Sequence, residues 1–254
     1  MIMRHNIVFL QTIFLCGFLT FSQPVHAGTP LSDRVAVEAG VKTEIARDLA
    51  SPYSPHEILS GRTCLDGRPV DGFQGEILEY WVNLECAFCG IQEPLQAQRN
   101  NPGLCIVVRH IPSDEYGESL KKALSYEALR DFSTNAAHRF WDAVQPKTSP
   151  AIPVPYEAAL QSALLEAAIA PDAFAEALRK AAPLVSADIV AAQSRITSTP
   201  TWILQGIRFP ACDFTAEELP AALALARKAR SGDTRARDDI TKIVTRGLLH
   251  ESLL

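Results

Sequence analysis

Apolar positions along the chain fall into two rhythms, one of helices and one of short strands. Over residues 31–50 Val35, Ala39, Ala46 and Leu49 recur at helical spacing around Lys42, with Ser32 or Asp33 placed to cap the first turn. That apolar stripe is thin, so the helix is expected to dock on a surface or to self-associate. Residues 51–75 are rich in Pro, Gly and Ser and read as loop, with LDGRPV as a small hairpin turn. The next run, EILEYWVNL, is aromatic and branched and reads as a buried strand. From Cys86 the pattern turns helical, and Pro94 would fall eight residues into that helix and kink it. LCIVVRHIP, 104–112, is a second buried strand, so strand, helix and strand form a parallel crossover.

A long helical region follows. Leu120, Leu124, Leu129, Phe132, Ala136, Phe140, Trp141 and Val144 lie near one side of it, and the proline-rich QPKTSPAIPVP interrupts it. Alanine-rich helices resume over 156–169 and 172–182, and another is expected from Leu184 to Ser194. TSTPTWILQGIRFPAC predicts a hairpin turning at Gln205-Gly206. TAEELPAALALARKA opens with a capping-box pattern, Thr215 to Glu218, and forms a closing helix, with one more from Arg237 to about His250. The mixed-sign stretch ARKARSGDTRARDD reads as a solvated loop between helices.

Composition sets the compartment. The chain opens with Arg4, an apolar run from Ile7 to Phe21, then Pro24 and VHA, the layout of a secretory leader cut after Ala27. Export places the remainder in an oxidising space, where disulfides persist. The chain has 254 residues and a net charge of −5, and losing Arg4 with the leader makes it more acidic. No basic cluster suits nucleic acid, which is excluded as a partner. Cys16 leaves with the leader, and Cys64, Cys86, Cys89, Cys105 and Cys212 stay, an odd number that leaves at least one thiol without an internal partner.

Cys86 and Cys89 are three apart at a strand-to-helix switch. There a thiolate at Cys86 would meet unpaired N–H groups and the positive end of a helix, while Cys89, one turn on, could resolve a mixed disulfide. A metal site needs further paired ligands, and His56, His110, His138 and His250 are scattered. Two core thiols would leave their position at the switch unexplained. The redox reading is therefore taken, with no cofactor. Cys105, in an apolar strand, reads as a buried core residue; three pairings are open among Cys64, Cys105 and Cys212, with Cys64–Cys212 the candidate structural disulfide. Trp202 reads as hairpin packing or as an aromatic rim for substrate.

The ordered set CAFC after an aromatic strand, Pro94, VVRHIP, a helical insertion and TPTWILQG resembles the DsbA-like thiol-disulfide oxidoreductases of the thioredoxin superfamily, over roughly residues 68–230. The resemblance implies an α/β thioredoxin fold, βαβ–ββα, with an inserted helical domain and an N-terminal helical extension. The expected organisation is a leader at 1–27, helix and linker at 28–67, the first half of the core at 68–112, the helical insertion at 113–195, and the second half with C-terminal helices at 196–254. It implies Cys86 as attacking thiol, Cys89 as resolving thiol, Pro200 as a cis-proline against the pair and Thr199 beside it as peptide-binding backbone. The expected activity is disulfide exchange with cysteine-containing proteins in the periplasm, as a dithiol oxidase, served by a membrane or soluble redox partner. An oligomeric isomerase or reductase joined through the N-terminal helix, and a non-catalytic peptide-binding chaperone, are the alternatives. Three features depart from the oxidase pattern. Ala87 and Phe88 stand where oxidases of the family carry Pro-His, Thr199 is closer to the isomerase and reductase branches, and Glu79 falls one residue out of the register of a buried proton carrier, which turns it to a solvated face. Glu85, next to Cys86, would repel a thiolate.

Overall fold

The computed structural model describes residues 31–52, 59–113, 117–146, 152–193 and 196–251; the leader expected over 1–27 lies outside them. The two strongly branched and aromatic runs form β1 (Glu76–Val82) and β2 (Leu104–His110), parallel neighbours joined through helix α2 (Gln92–Asn100). The late hairpin forms β3 (Thr201–Leu204) and β4 (Ile207–Pro210), turning at Gln205 and Gly206, both at positive φ. The sheet order is β2-β1-β3-β4, with β3 antiparallel to β1 and to β4. Helix α7 (Glu218–Arg230) follows, closed at its start by the expected reciprocal bonds: Glu218 N–H to Thr215 Oγ1 at 3.2 Å and Thr215 N–H to Glu218 Oε2 at 3.0 Å. A parallel βαβ unit and an antiparallel ββα unit on this strand order make a thioredoxin fold, the class expected from the sequence.

Helix α1 (Leu31–Ala50) precedes this core, and helices α3 (Glu118–Arg130), α4 (Thr134–Val144), α5 (Tyr156–Glu166) and α6 (Pro171–Ala192) stand between β2 and β3. The region from Glu118 divides because Ser133 caps α4, its Oγ accepting the Ala136 N–H. Pro183, by contrast, does not break α6 as expected. It sits on the exposed side, while Ala181, Val185, Asp188 and Ala192 hold both halves of the helix against the same surface. The charged stretch read as a loop is mostly helix too, the end of α7 and the start of α8 (Thr234–Glu251), with the turn confined to 231–233 around Gly232 at φ +100. Helix α1 docks, but not by the expected stripe: Val35, Ala39, Lys42 and Ala46 are exposed, and Val41, Ile45 and Asp48 are buried instead, with Arg208 of β4 binding Asp48 and Glu44. No helix among the described residues is long and apolar enough to cross a membrane.

Both sheet faces are covered, which decides the fate of alternate residues on β1. Leu78, Tyr80 and Val82 enter the main core with Ile106, Val108, Trp202 and residues of α2, α4 and α7. Glu79 and Trp81 point the other way, under α6 and the segment before β1. Strand β2 is an edge strand, yet all seven of its residues are buried. Its outer groups are taken locally: Leu65 N–H binds Ile106 O at 2.8 Å, Arg68 binds Leu104 O at 2.7 Å and Asp188 accepts the His110 N–H at 2.9 Å. The LDGRPV turn forms as expected, with a Cys64 N–H bond to Arg68 O and Gly67 at φ +86.

The disulfide is Cys64–Cys105, not Cys64–Cys212. The turn carrying Cys64 lies along β2, whereas Cys212 follows β4, and the strand order puts these two strands at opposite edges of the sheet. Cys105 is indeed buried, within a cluster that includes Leu59, Val70 and Val107, but as a cystine half; Cys212 is a buried thiol.

Candidate active site

After β1 the chain makes two tight turns before any helix begins. Cys86 N–H binds Asn83 O at 2.9 Å and Cys89 N–H binds Cys86 O at 3.1 Å, and α2 starts only at Gln92. The helix expected from Cys86 does not form, because other elements take the carbonyls its ladder would need. Gln145 Nε2 donates to Cys86 O at 3.1 Å, Trp141 Nε1 to Cys89 O at 3.0 Å, and the Tyr80 hydroxyl to Gly90 O at 3.0 Å. Pro94 thus lies in the first turn of α2, where no backbone donor is required, and it kinks nothing. Had the helix reached back to Gly90, Pro94 could not have served Gly90 O; the Tyr80 hydroxyl does so instead.

The four residues expected at the site converge. Thr199–Pro200 is a cis bond, and the Cys86 thiol reaches Thr199 O at 3.3 Å across 113 positions of sequence. The loop is tied at both sides, by the Thr201 hydroxyl on Ser198 O at 2.7 Å and by the Ala211 N–H on Pro200 O at 2.8 Å.

The two thiols differ in setting. Cys86 is partly exposed and Cys89 is fully buried. A hydrogen bond from Cys89 is the largest influence on Cys86 and, with the Phe88 N–H, the Thr199 hydroxyl and the Cys89 N–H, outweighs burial to pull its thiol from 9.0 down to about 6. Burial, followed by the neighbouring Cys86, pushes Cys89 well above its ordinary value. The low value at Cys86 comes from donors gathered by a turn rather than from a helix end, which is a correction to the expected cause.

Several residues of the site carry little sequence signal. Trp141 and Gln145 stand four apart at the end of α4, on one face, and they hold the loop from the helical insertion. Tyr80 is stacked between Trp202, at 4.2 Å between ring centroids, and Trp141, at 6.4 Å. Trp202 is thereby hairpin packing in the core, not a rim. Glu85 does not face Cys86 as an uncompensated charge: Lys122 Nζ meets its carboxylate at 2.5 Å.

Glu79 is buried, against the expectation of a solvated face, because α6 and the preceding segment cover that side of β1. Its carboxylate binds Arg109 at 3.0 Å, and Arg109 in turn shares Asp188 with Arg62, so two acids and two guanidiniums form one buried knot. Burial raises Glu79 from 4.5 to about 7 against the pull of Arg109. Strand alternation sets it on the sheet face opposite Tyr80, which is the residue that touches the cysteine loop.

No protein-family model matches the chain, and no curated protein does. Among solved structures, the chain is similar to a thioredoxin-like oxidoreductase from Silicibacter pomeroyi, at 17% identity and a TM-score of 0.47 over 61% of this chain and 88% of that one. It is similar to the thiol-disulfide exchange protein alpha-DsbA2 from Wolbachia pipientis, at 12% identity and a TM-score of 0.48 over 74% and 97%. DsbA from Mycobacterium tuberculosis matches at 19% identity and a TM-score of 0.41 over 66% and 88%.

Proposed function

We propose that the chain is an exported thiol-disulfide oxidoreductase acting on cysteine-containing proteins, with Cys86 as the attacking and Cys89 as the resolving thiol, and that it works as a dithiol oxidase. The observation that carries this reading is the opposed setting of two thiols within one turn, one reachable and acidified, the other buried and held protonated. Buried core thiols would both be pushed up.

In the oxidising direction a substrate thiolate attacks Cys86 Sγ of the Cys86–Cys89 disulfide. The sulfur–sulfur bond breaks, and its electron pair leaves on Cys89, which takes up a proton because its buried thiolate is unfavourable. A second substrate thiolate then attacks the substrate sulfur of the mixed disulfide and releases Cys86 as a thiolate. The substrate has lost two electrons, the protein holds them as a dithiol, and a membrane or soluble redox partner must remove them. The backbone of Thr199 beside Cys86 suits an extended substrate segment. A stabilised Cys86 thiolate favours the dithiol form and so raises the potential, which supports oxidation.

One observation favours a reductase or isomerase instead. A thiol at about 6 lies nearer the value of about 7 for thioredoxin than that of about 3.5 for a strong oxidant. Equilibration with glutathione decides between them: a potential of about −120 to −180 mV supports the oxidase and one of about −270 mV the reductase. Cys89→Ala should accumulate a mixed disulfide with an unfolded substrate that carries a disulfide, because the Cys86 thiolate cleaves that bond, releases one substrate thiolate and has no resolving thiol behind it, and Cys86→Ala should form none. A wild-type protein that exchanges with neither glutathione nor substrate, yet holds unfolded peptides, would be a chaperone of the same fold.

A further inference from the structure

We propose that Gln145 is a positioning residue for exchange: by holding the carbonyls of Cys86 and Ala87 it aims the Phe88 N–H at the Cys86 sulfur. This rests on the reading of Cys86 as the reacting thiol. Gln145 is buried at the C-terminal end of α4, and its side-chain nitrogen lies 3.1 Å from Cys86 O and 3.5 Å from Ala87 O. Ala87 O and the Phe88 N–H belong to one peptide unit, which is planar and trans, so the two point in opposite directions. Fixing the carbonyl toward α4 therefore fixes the N–H away from it, toward Cys86, where Phe88 and Cys89 are the two backbone donors to the sulfur.

A helix would have oriented this peptide by its own ladder, but the segment from Cys86 to Ile91 is not helical, and the orientation must come from outside. The insertion supplies it. Trp141, one turn before Gln145, holds Cys89 O, so α4 grips three of the four carbonyls of the Cys86–Cys89 segment. Gln145 is itself fixed, its N–H on Trp141 O at 3.0 Å, while Lys122 holds the adjacent Val144 O at 3.4 Å. The helical insertion thus contributes to the acidity of the Cys86 thiol through the backbone it holds.

The test is Gln145→Met, similar in length and without a donor, in the full chain. Thiolate formation at Cys86 is followed by the pH dependence of alkylation, and the potential by glutathione equilibrium. The titration midpoint should rise by about one pH unit, a tenfold change equal to about 1.4 kcal/mol, with a potential lower by about 30 mV. Gln145→Glu, which keeps the length but turns an acceptor toward the carbonyls, should move both the same way, and it serves where the methionine variant does not fold. Ser133→Ala removes the α4 cap without touching the loop and should leave the midpoint in place. An unchanged midpoint in a folded Gln145 variant overturns the proposal, as does an equal shift in Ser133→Ala. Absence of exchange in the wild-type protein would instead sink the functional reading.

Discussion

Removing Cys89 should make Cys86 a weaker acid, and by an amount the site allows one to work out. The largest influence lowering Cys86 is the hydrogen bond from the Cys89 thiol, ahead of the two backbone donors and the Thr199 hydroxyl. A hydrogen bond to a charged acceptor contributes roughly 1.5–3 kcal/mol, and one pH unit corresponds to about 1.36 kcal/mol. Cys89→Ala should therefore move the Cys86 midpoint from about 6 to between roughly 7 and 8. At neutral pH the thiolate fraction would fall from about nine-tenths to between roughly one-tenth and one-half. The assay is the alkylation rate of the single remaining active-site thiol across pH, with Cys212, which is buried, checked separately by Cys212→Ser. A midpoint in Cys89→Ala that stays at about 6 would refute the reasoning, since the acidity would then reside in the loop backbone and the Thr199 hydroxyl.

Three further outcomes follow from the buried groups. Asp188→Asn should cost about 3–5 kcal/mol in urea unfolding, because it leaves Arg62 and Arg109 buried without the acid they share; a loss under about 1 kcal/mol would mean the knot contributes no more than a surface pair. Burial raises Glu79 from 4.5 to about 7, so between those values the folded protein keeps a proton the unfolded chain has lost, and stability contributed by this group falls as pH rises through that window. Glu79→Gln should remove that contribution, up to about 1.4 kcal/mol per pH unit, and identical pH slopes in the two proteins would contradict it. Replacing Cys64 and Cys105 together by alanine opens a loop of 41 positions and should cost about 4 kcal/mol without moving the Cys86 titration; a shifted titration would show that the disulfide acts on the site.

Legibility followed the range of the interaction. The hairpin turn, the capping box at Thr215 and Glu218 and both core strands depend on residues within a few positions of each other, and they stand where the pattern placed them. Pro94 misled in the opposite sense: it is a real boundary signal, but of a helix start, because the carbonyls before it were already engaged by Tyr80, Trp141 and Gln145. Gln145 itself stands 59 positions from Cys86, and only its spacing from Trp141 hinted at a shared face.

By itself the sequence determined that two thiols lie one turn apart after a buried strand, and that a Thr-Pro step opens a hairpin; covalent adjacency and local backbone preference suffice for both. Tertiary structure decided the rest. Which cysteine pairs with Cys64 depended on which sheet edge each strand occupies, and whether Glu79 meets water depended on α6 covering its face. The acidity of Cys86 depended on donors from Cys89, Phe88 and Thr199 brought to one sulfur. Electrostatic and packing energies act on distance in space, and a linear order of residues carries that distance only over the few positions that local geometry constrains.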